Sequence, residues 1–255
     1  MKKLKYFIFS LVILGSLFFL FGLEVLPEPS PQAWELGQEF LNLTSQNDVI
    51  IIFNSGGWGN TPLEKAGDFA PIIEGIQKTL DDWGLNVIVI PYNRTKNTLL
   101  GKITGAKDFL SSFDFSSEIL AKDLEFLAEK LPDKKIIIAG LSAGGAFADK
   151  TMEKISDKTK DSIYAITAGI PFWYDSFESE NLLLLDNNGK DTLSKGELKL
   201  LVLSLIKTPF KWILAKLNGQ NLTFSQAIRI PGHEYSWSSP EVGPKIVNFL
   251  ENKLH

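Results

Sequence analysis

The stretch that decides the fold reads Lys135-Ile136-Ile137-Ile138-Ala139-Gly140-Leu141-Ser142-Ala143-Gly144-Gly145-Ala146. An apolar run typical of a buried β-strand leads directly into Gly-x-Ser-x-Gly, and small residues typical of a tightly packed helix start follow. A serine on such a sharp turn has a strained backbone, and Gly140 and Gly144 remove side chains that would crowd it. The pattern predicts that Ser142 is raised at the end of a strand, in front of a helix N-terminus that favours negative charge.

A serine that acts as a nucleophile needs a general base, and the chain has two histidines. His255 is the last residue, where ordering is not expected. His233 follows a strand-like run at 224–230 and precedes a helix pattern at 244–250. Its position after the serine and after the last predicted strand makes His233 the predicted base.

The acid that orients the histidine is expected on a loop after a strand, between the serine and the histidine. Asp186 and Asp191 both follow the apolar run at 182–185. Asp191 is the predicted acid because the Gly-Lys step before it lies in a turn that can aim a carboxylate back across the sheet edge. Asp186 is the alternative, and one of the two could instead cap the next helix.

Residues 186–197 also resemble a calcium-binding loop, with Asp186 first and Glu197 last. Lys190 occupies the fifth position, where such loops have a ligand, and Asp191 stands where they have a glycine. A cation inside the site opposes calcium binding. The sequence therefore predicts no metal and no cofactor at this loop or elsewhere.

An oxyanion hole needs backbone N–H groups, and the first is predicted at Ala143, the residue after the serine. The second is expected on the loop after an earlier strand. The apolar run at 49–53 is that strand, and its loop reads Asn54-Ser55-Gly56-Gly57-Trp58-Gly59. Neighbouring glycines let N–H groups approach a substrate oxygen, so Gly57 and Trp58 are the predicted donors. The alternative for this loop is a plain flexible turn.

Short apolar runs separated by helix-length segments predict an α/β fold with a mostly parallel sheet flanked by helices on both faces. The predicted strands are residues 50–53, 86–90, 135–139, 163–167 and 182–185, and the predicted helices are residues 68–83 and 116–131. Parallel sheets of this kind bind ligands at the carboxyl ends of their strands, where Ser142, Asp191 and Gly57 all fall.

Together these residues resemble the α/β-hydrolase superfamily over roughly residues 48–252. The resemblance rests on the Gly140–Gly144 motif, on the order Ser142, Asp191, His233, on the Ser-Gly-Gly-Trp loop and on the Gly-His-Glu-Tyr-Ser-Trp segment. It implies acyl transfer through a serine ester. Many members have a histidine before the glycines of the oxyanion loop, where this chain has Asn54-Ser55. Little chain precedes Val49, so the opening antiparallel strands of the family have no counterpart.

The N-terminal segment has the pattern of a membrane anchor. Three lysines precede residues 6–23, which carry no charge and would span about 27 Å as a helix. Bulky residues leave no good signal-peptide cleavage site, so residues 1–26 are predicted to form one uncleaved transmembrane helix with a cytoplasmic N-terminus. The alternative is a cleaved signal peptide and a secreted protein. Residues 27–33 are a Pro-rich linker, and residues 34–255 form the predicted catalytic domain outside the cytoplasm.

Residues 196–218 are a predicted lid insertion within that domain. Apolar residues alternate there with lysines and are interrupted at Pro209, which is typical of interfacial amphipathic helices; a core helix on the sheet is the alternative for 198–206. Phe172-Trp173-Tyr174 follows a predicted strand end and could line the same pocket, or form a buried aromatic cluster.

Composition excludes several functions. The chain of 255 residues has no cysteine, which rules out disulfides and cysteine nucleophiles. Its 26 basic and 30 acidic residues form no basic stripe, so nucleic-acid binding is not expected. The predicted function is a membrane-anchored serine hydrolase acting on a small-molecule or lipid carboxylic ester. Thioesterase, acyltransferase and peptidase activities share this chemistry, and a non-catalytic binding protein on the same fold is the other alternative.

Overall fold

The computed structural model describes residues 41, 44–67, 69–96, 98–197, 213–215, 217–219 and 230–254. Within these residues, five strands form one sheet in which every neighbouring pair is parallel. The strands are β1 Val49–Asn54, β2 Val87–Tyr92, β3 Lys135–Leu141, β4 Ile163–Ala168 and β5 Leu182–Leu185. Their order across the sheet is β2-β1-β3-β4-β5. All five predicted strands are therefore confirmed, each to within a few residues.

The helices of the described residues are α1 Ala70–Asp82, α2 Leu99–Leu110, α3 Asp114–Lys130, α4 Ala143–Lys154, α5 Thr192–Lys195 and α6 Gly243–Leu254. Short 3₁₀ turns lie at Leu63–Lys65 and Lys160–Ser162. The predicted helices over 68–83, 116–131 and 244–250 correspond to α1, α3 and α6. The sequence analysis missed α2.

Both faces of the sheet are covered by helices. Every residue of β1 is buried, and its side chains alternate between two separate hydrophobic cores. Ile51 and Phe53 pack with α1 and α6, whereas Ile50 and Ile52 pack with α3 and α4. A strand enclosed on both sides needs a continuous apolar run, which is why these strands lack polar alternation. The predicted parallel sheet flanked by helices on both faces is confirmed.

The strand register brings three loops together at the carboxyl edge of the sheet. Asn54 is paired with Gly140, so the loop after β1 leaves the sheet beside the turn after β3. Leu141 is paired with Ala168, and Ala168 with Leu185, so the chain segments after β3, β4 and β5 start in one row. The order of connections reverses between β1 and β3, which is where doubly wound sheets place ligands.

Some predictions lie outside the described residues. These are the membrane helix, the linker at 27–33, all but the last residue of the strand at 224–230, and most of the predicted lid at 196–218. Among the residues that the structure does describe, none of the helices combines the length and hydrophobicity needed to cross a membrane.

A buried carboxyl group on α4 holds the segment that follows β4. Asp149 is almost fully buried, and its two oxygens accept the N–H of Phe177 at 3.2 and 3.1 Å. Burial raises the pKa of Asp149 to about 6, and nearby Glu153 adds to this effect, while the Phe177 N–H and Lys150 oppose it. The folded protein therefore keeps this carboxyl protonated at pH values where the unfolded chain has released the proton.

We expect this group to make the protein less stable as pH rises from about 4 to about 6. Over that window the native state binds more protons than the unfolded state, so the free energy of unfolding falls as pH increases. The loss is on the order of 3 kcal/mol, and Asp149→Asn should lack it. Urea unfolding of both proteins between pH 4 and pH 7 measures the difference. Parallel stability curves would contradict the assignment.

Candidate active site

Ser142 lies at the predicted turn, between β3 and α4. Its backbone has φ 56° and ψ −120°, a conformation that costs a non-glycine residue about 1–3 kcal/mol. The N–H of Ser142 donates to the carbonyl of Ala168 at 2.8 Å, which ties the turn to the end of β4. The residue is only partly buried. The fold thus holds a partly accessible serine in strained backbone at the ligand-binding edge of the sheet.

Close packing beneath this turn explains the glycines on either side of the serine. A methyl group at Gly144 would overlap the carbonyl oxygen of Asn54 and lie 2.7 Å from that of Ser55. A methyl group at Gly140 would overlap the carbonyl oxygen of Gly144. The start of α4 can pack this closely against β3 and the end of β1 only without a Cβ atom at these two positions.

The structure brings His233 and Asp191 together. Nδ1 of His233 lies 2.8 Å from Oδ2 of Asp191. An ionised carboxylate can only accept, so the imidazole carries a proton on Nδ1 and leaves Nε2 as an acceptor. Asp191 is 0% exposed, and the side chain of His233 is 15% exposed. This is the pairing expected of a base and the acid that fixes its tautomer.

Asp191 uses its two oxygens for different purposes. Oδ1 accepts the N–H groups of Leu193 at 2.8 Å and Ser194 at 3.3 Å, which caps the short helix α5. Oδ2 faces His233 and also accepts the hydroxyl of Tyr235 at 2.7 Å. The two roles that the sequence left as alternatives, helix cap and partner of the histidine, are both filled by this one side chain.

These hydrogen bonds control the charge of the carboxyl group. Burial by itself would raise the pKa of Asp191, but the bonds from His233, Tyr235 and the N–H of Leu193 outweigh burial, and the pKa is lowered. Burial and the adjacent Asp191 raise the pKa of Tyr235, so its hydroxyl remains a donor. Asp191 therefore stays ionised, which suits a group that stabilises an imidazolium.

The loop that carries His233 is fastened to the loop that carries Asp191. The carbonyl of Pro231 accepts both the N–H and the hydroxyl of Thr192, at 3.1 and 3.0 Å. The amide of Asn187 donates to the carbonyl of Gly232 at 2.9 Å. These contacts hold the loop of the base against the loop of the acid.

Contacts at the end of β4 place the imidazole close to the serine turn. A methyl group at Gly169 would lie 2.5 Å from Cε1 and 2.8 Å from Nδ1 of His233, so the ring packs directly on this glycine. Gly169 follows Ala168, whose carbonyl accepts the N–H of Ser142. The ring of the predicted base therefore packs on the residue next to the one that binds the N–H of the predicted nucleophile.

Asp186, the alternative acid, is exposed, and no hydrogen bond joins it to His233 among the described residues. Asn188, the third residue of the calcium-loop pattern, donates from its side chain to Glu241 at 3.2 Å. In the part of the chain that the structure describes, no three His, Asp or Glu side chains are grouped closely enough to hold a metal ion.

The loop after β1 lies beside Ser142. A methyl group at Gly56 would be 3.8 Å from Cβ of Ser142 and 3.1 Å from the carbonyl oxygen of Leu141. Gly57 is exposed with φ 56°, and the side chain of Trp58 is about half exposed. Ala143 is the first residue of α4, so its N–H has no partner within the helix. Gly56, which the sequence analysis did not single out, is thus a loop residue that packs beside the serine.

The aromatic segment after β4 divides between core and surface. Tyr174 stacks on Phe113 with ring centroids 5.8 Å apart and an interplanar angle of 9°. Phe172 and Trp173 are 41% and 51% exposed, and Trp58 on the loop after β1 is 48% exposed. One residue therefore belongs to a buried aromatic cluster, and large apolar side chains remain accessible on two loops at the carboxyl edge.

Sequence reasoning missed two polar residues of the site. Tyr235 lies two residues after His233, but only the folded loop shows that its hydroxyl reaches Asp191. Arg94, one of two arginines in the chain, is buried under the loop after β1. An arginine two residues after an apolar strand was the available signal.

No family model matches the chain, and no curated protein matches it. Among solved structures, the chain is similar to a cutinase from Trichoderma reesei in complex with a C11Y4 phosphonate inhibitor. The sequences are 18% identical, the TM-score is 0.43, and the match covers 59% of this chain and 65% of the cutinase chain. The match thus spans just under two thirds of that structure. At this identity and TM-score the similarity carries no information on the substrate.

Proposed function

We propose that this protein is a serine hydrolase of the α/β-hydrolase type that cleaves carboxylic esters through an acyl-enzyme on Ser142. The observation that carries the proposal is the 2.8 Å contact between His233 and the buried Asp191. The imidazole ring of His233 packs beside the end of β4, where the carbonyl of Ala168 binds the N–H of Ser142. A strained serine, a histidine and a buried acid on three loops at one sheet edge are the parts that acyl transfer requires.

In the proposed reaction, Oγ of Ser142 attacks the ester carbonyl while Nε2 of His233 accepts the serine proton. Asp191 stabilises the imidazolium that forms. The N–H groups of Ala143, Gly57 and Trp58 receive the oxyanion of the tetrahedral intermediate. The C–O bond to the alcohol then breaks, and His233 returns the proton to the leaving oxygen. Water, deprotonated by His233, attacks the acyl-serine and releases the acid.

We propose an apolar ester, such as a lipid ester, as the substrate class. Trp58, Phe172 and Trp173 are exposed on loops that follow β1 and β4, the strands on either side of the serine strand. Apolar side chains at the rim of a site favour acyl chains over charged substrates. Acyl transfer to an alcohol or hydrolysis of an amide would use the same residues and differ only in the molecule that attacks or leaves.

Release of p-nitrophenol from p-nitrophenyl esters tests this proposal. The purified protein should give a rapid burst of p-nitrophenol stoichiometric with protein, followed by slower turnover, because an acyl-enzyme accumulates. The decanoate ester should react faster than the acetate ester if Trp58, Phe172 and Trp173 contact the acyl chain. If p-nitrophenol is released from every ester only at the rate seen in buffer alone, the protein is instead a non-catalytic binding protein on a hydrolase-like fold.

We further propose that residues 1–26 anchor the protein in a membrane, with the catalytic domain outside the cytoplasm. The uncharged run at 6–23 and the lysines before it support this orientation. The full-length protein should remain in the membrane fraction after washing at high pH and high salt. A soluble species trimmed near residue 25 would show that the segment is a cleaved signal peptide.

A further inference from the structure

Arg94 is a buried cation behind the loop after β1. It is 3% exposed, and its guanidinium carbon lies 4.8 Å from the ring centroid of Phe113 and 5.3 Å from that of Phe147. Burial lowers the pKa of Arg94 to about 10, while Asp108 is the largest influence that raises it. The side chain is therefore still charged at neutral pH. Burying a charge is costly, so its contacts define what it does for the fold.

The guanidinium binds carbonyl groups of the loop formed by residues 55–59. Its Nη2 donates to the carbonyl of Ser55 at 2.9 Å and to that of Gly57 at 3.3 Å. The backbone N–H of Arg94 donates to the carbonyl of Gly59 at 2.8 Å. A methyl group at Gly59 would lie 2.5 Å from Nε, so the loop rests directly on the guanidinium.

The other two carbonyls of the loop are also bound within the protein. The hydroxyl of Thr95 donates to the carbonyl of Trp58 at 2.7 Å, and the N–H of Gly59 donates to that of Gly56 at 3.1 Å. All five carbonyl groups of residues 55–59 thus accept hydrogen bonds. In contrast, the N–H groups of residues 56, 57 and 58 have no acceptor among the residues that the structure describes.

Because these carbonyl groups are bound, peptide geometry determines where the adjacent N–H groups point. In a trans peptide, the carbonyl of one residue and the N–H of the next point in opposite directions. When Arg94 binds the carbonyls of Ser55 and Gly57, the N–H groups of Gly56 and Trp58 must point away from it. Gly56 lies against Ser142. Donors directed away from Arg94 at this point are available to an oxyanion formed on the serine.

We propose that Arg94 is a positioning residue for the oxyanion hole: it binds the carbonyls of Ser55 and Gly57 and so directs the N–H groups of Gly56 and Trp58 toward the tetrahedral intermediate. This inference rests on the proposed hydrolase function. It changes the expected donor set, because Gly56 takes the place of Gly57 beside Trp58 and Ala143. The fixed positive charge behind the loop also stabilises the developing negative charge in an environment with little water.

The test compares Arg94→Met and Arg94→Lys with the wild type, with kcat expressed per mole of folded protein. Arg94→Met should lower kcat by roughly 100- to 1,000-fold and leave KM nearly unchanged, since the oxyanion exists only in the transition state. The inhibition constant of a trifluoromethyl ketone, which forms a tetrahedral oxyanion on the serine, should rise by a similar factor. Arg94→Lys keeps the positive charge but not the planar guanidinium group, so its kcat should fall by an intermediate factor.

Leu120→Ala is the matched control, because Leu120 is fully buried in the same core as Phe113 and Phe147 but does not touch the loop. It should lower the melting temperature without changing kcat per mole of folded protein or inhibitor binding. The positioning role is overturned if Arg94→Met behaves like Leu120→Ala. Should Arg94→Met not fold, unchanged kcat and inhibitor binding in Arg94→Lys overturn it instead. A wild-type protein in which a fluorophosphonate labels no serine overturns the hydrolase proposal itself.

Discussion

Ser142→Ala should lower kcat for ester hydrolysis by about a million-fold, because the nucleophile is lost while the histidine, acid and N–H donors remain. No hydrogen bond of the Ser142 hydroxyl supports the fold among the described residues, and alanine keeps the same backbone. The variant should therefore unfold at nearly the wild-type temperature. Thermal unfolding and steady-state kinetics on the same preparation measure both properties. Full activity in Ser142→Ala would place the chemistry elsewhere.

Asp191→Asn should lower kcat by about 10,000-fold with little effect on folding. The asparagine oxygen can still cap α5 in the position of Oδ1, so the amide nitrogen takes the place of Oδ2 beside His233. A donor at that position forces Nδ1 to accept, which moves the ring proton to Nε2 and blocks transfer from the serine. Kinetics and circular dichroism of the variant measure the two effects.

Asp186→Asn is the control for this prediction. Asp186 has the same chemistry, lies five residues earlier and is exposed, so the substitution should change kcat by no more than about two-fold. If Asp186→Asn abolishes turnover and Asp191→Asn remains active, the acid is Asp186 and the fold assignment is unaffected.

Much of the fold could be predicted from sequence because the strands are buried on both faces. Runs such as 49–53 and 135–139 are continuously apolar, and Gly140 and Gly144 mark the turn. Helix α2 was missed because it contains Gly101 and Gly105, which disfavour helix, and has no clear apolar stripe. Its local signal was Thr98, whose hydroxyl caps the helix by accepting the N–H of Gly101 at 3.0 Å.

The site was less predictable because its geometry depends on contacts between distant loops. Two aspartates follow β5, and the choice between them depends on a turn in which Asn187, Asn188 and Gly189 all have positive φ. That turn carries Asp191 back toward His233, 42 residues further along the chain. The supporting bonds from Tyr235 and Arg94 are likewise long-range, so no local sequence pattern specifies them.

Labelling of the full-length protein with a fluorophosphonate, followed by peptide mass spectrometry, tests the central claim most directly. The reagent phosphonylates a serine only when a base and an oxyanion hole activate it. We predict one adduct per chain, located on Ser142 and absent from Ser142→Ala and Asp191→Asn over the same labelling time. A folded wild-type protein that gains no adduct, or that gains it on another serine, would contradict the claim.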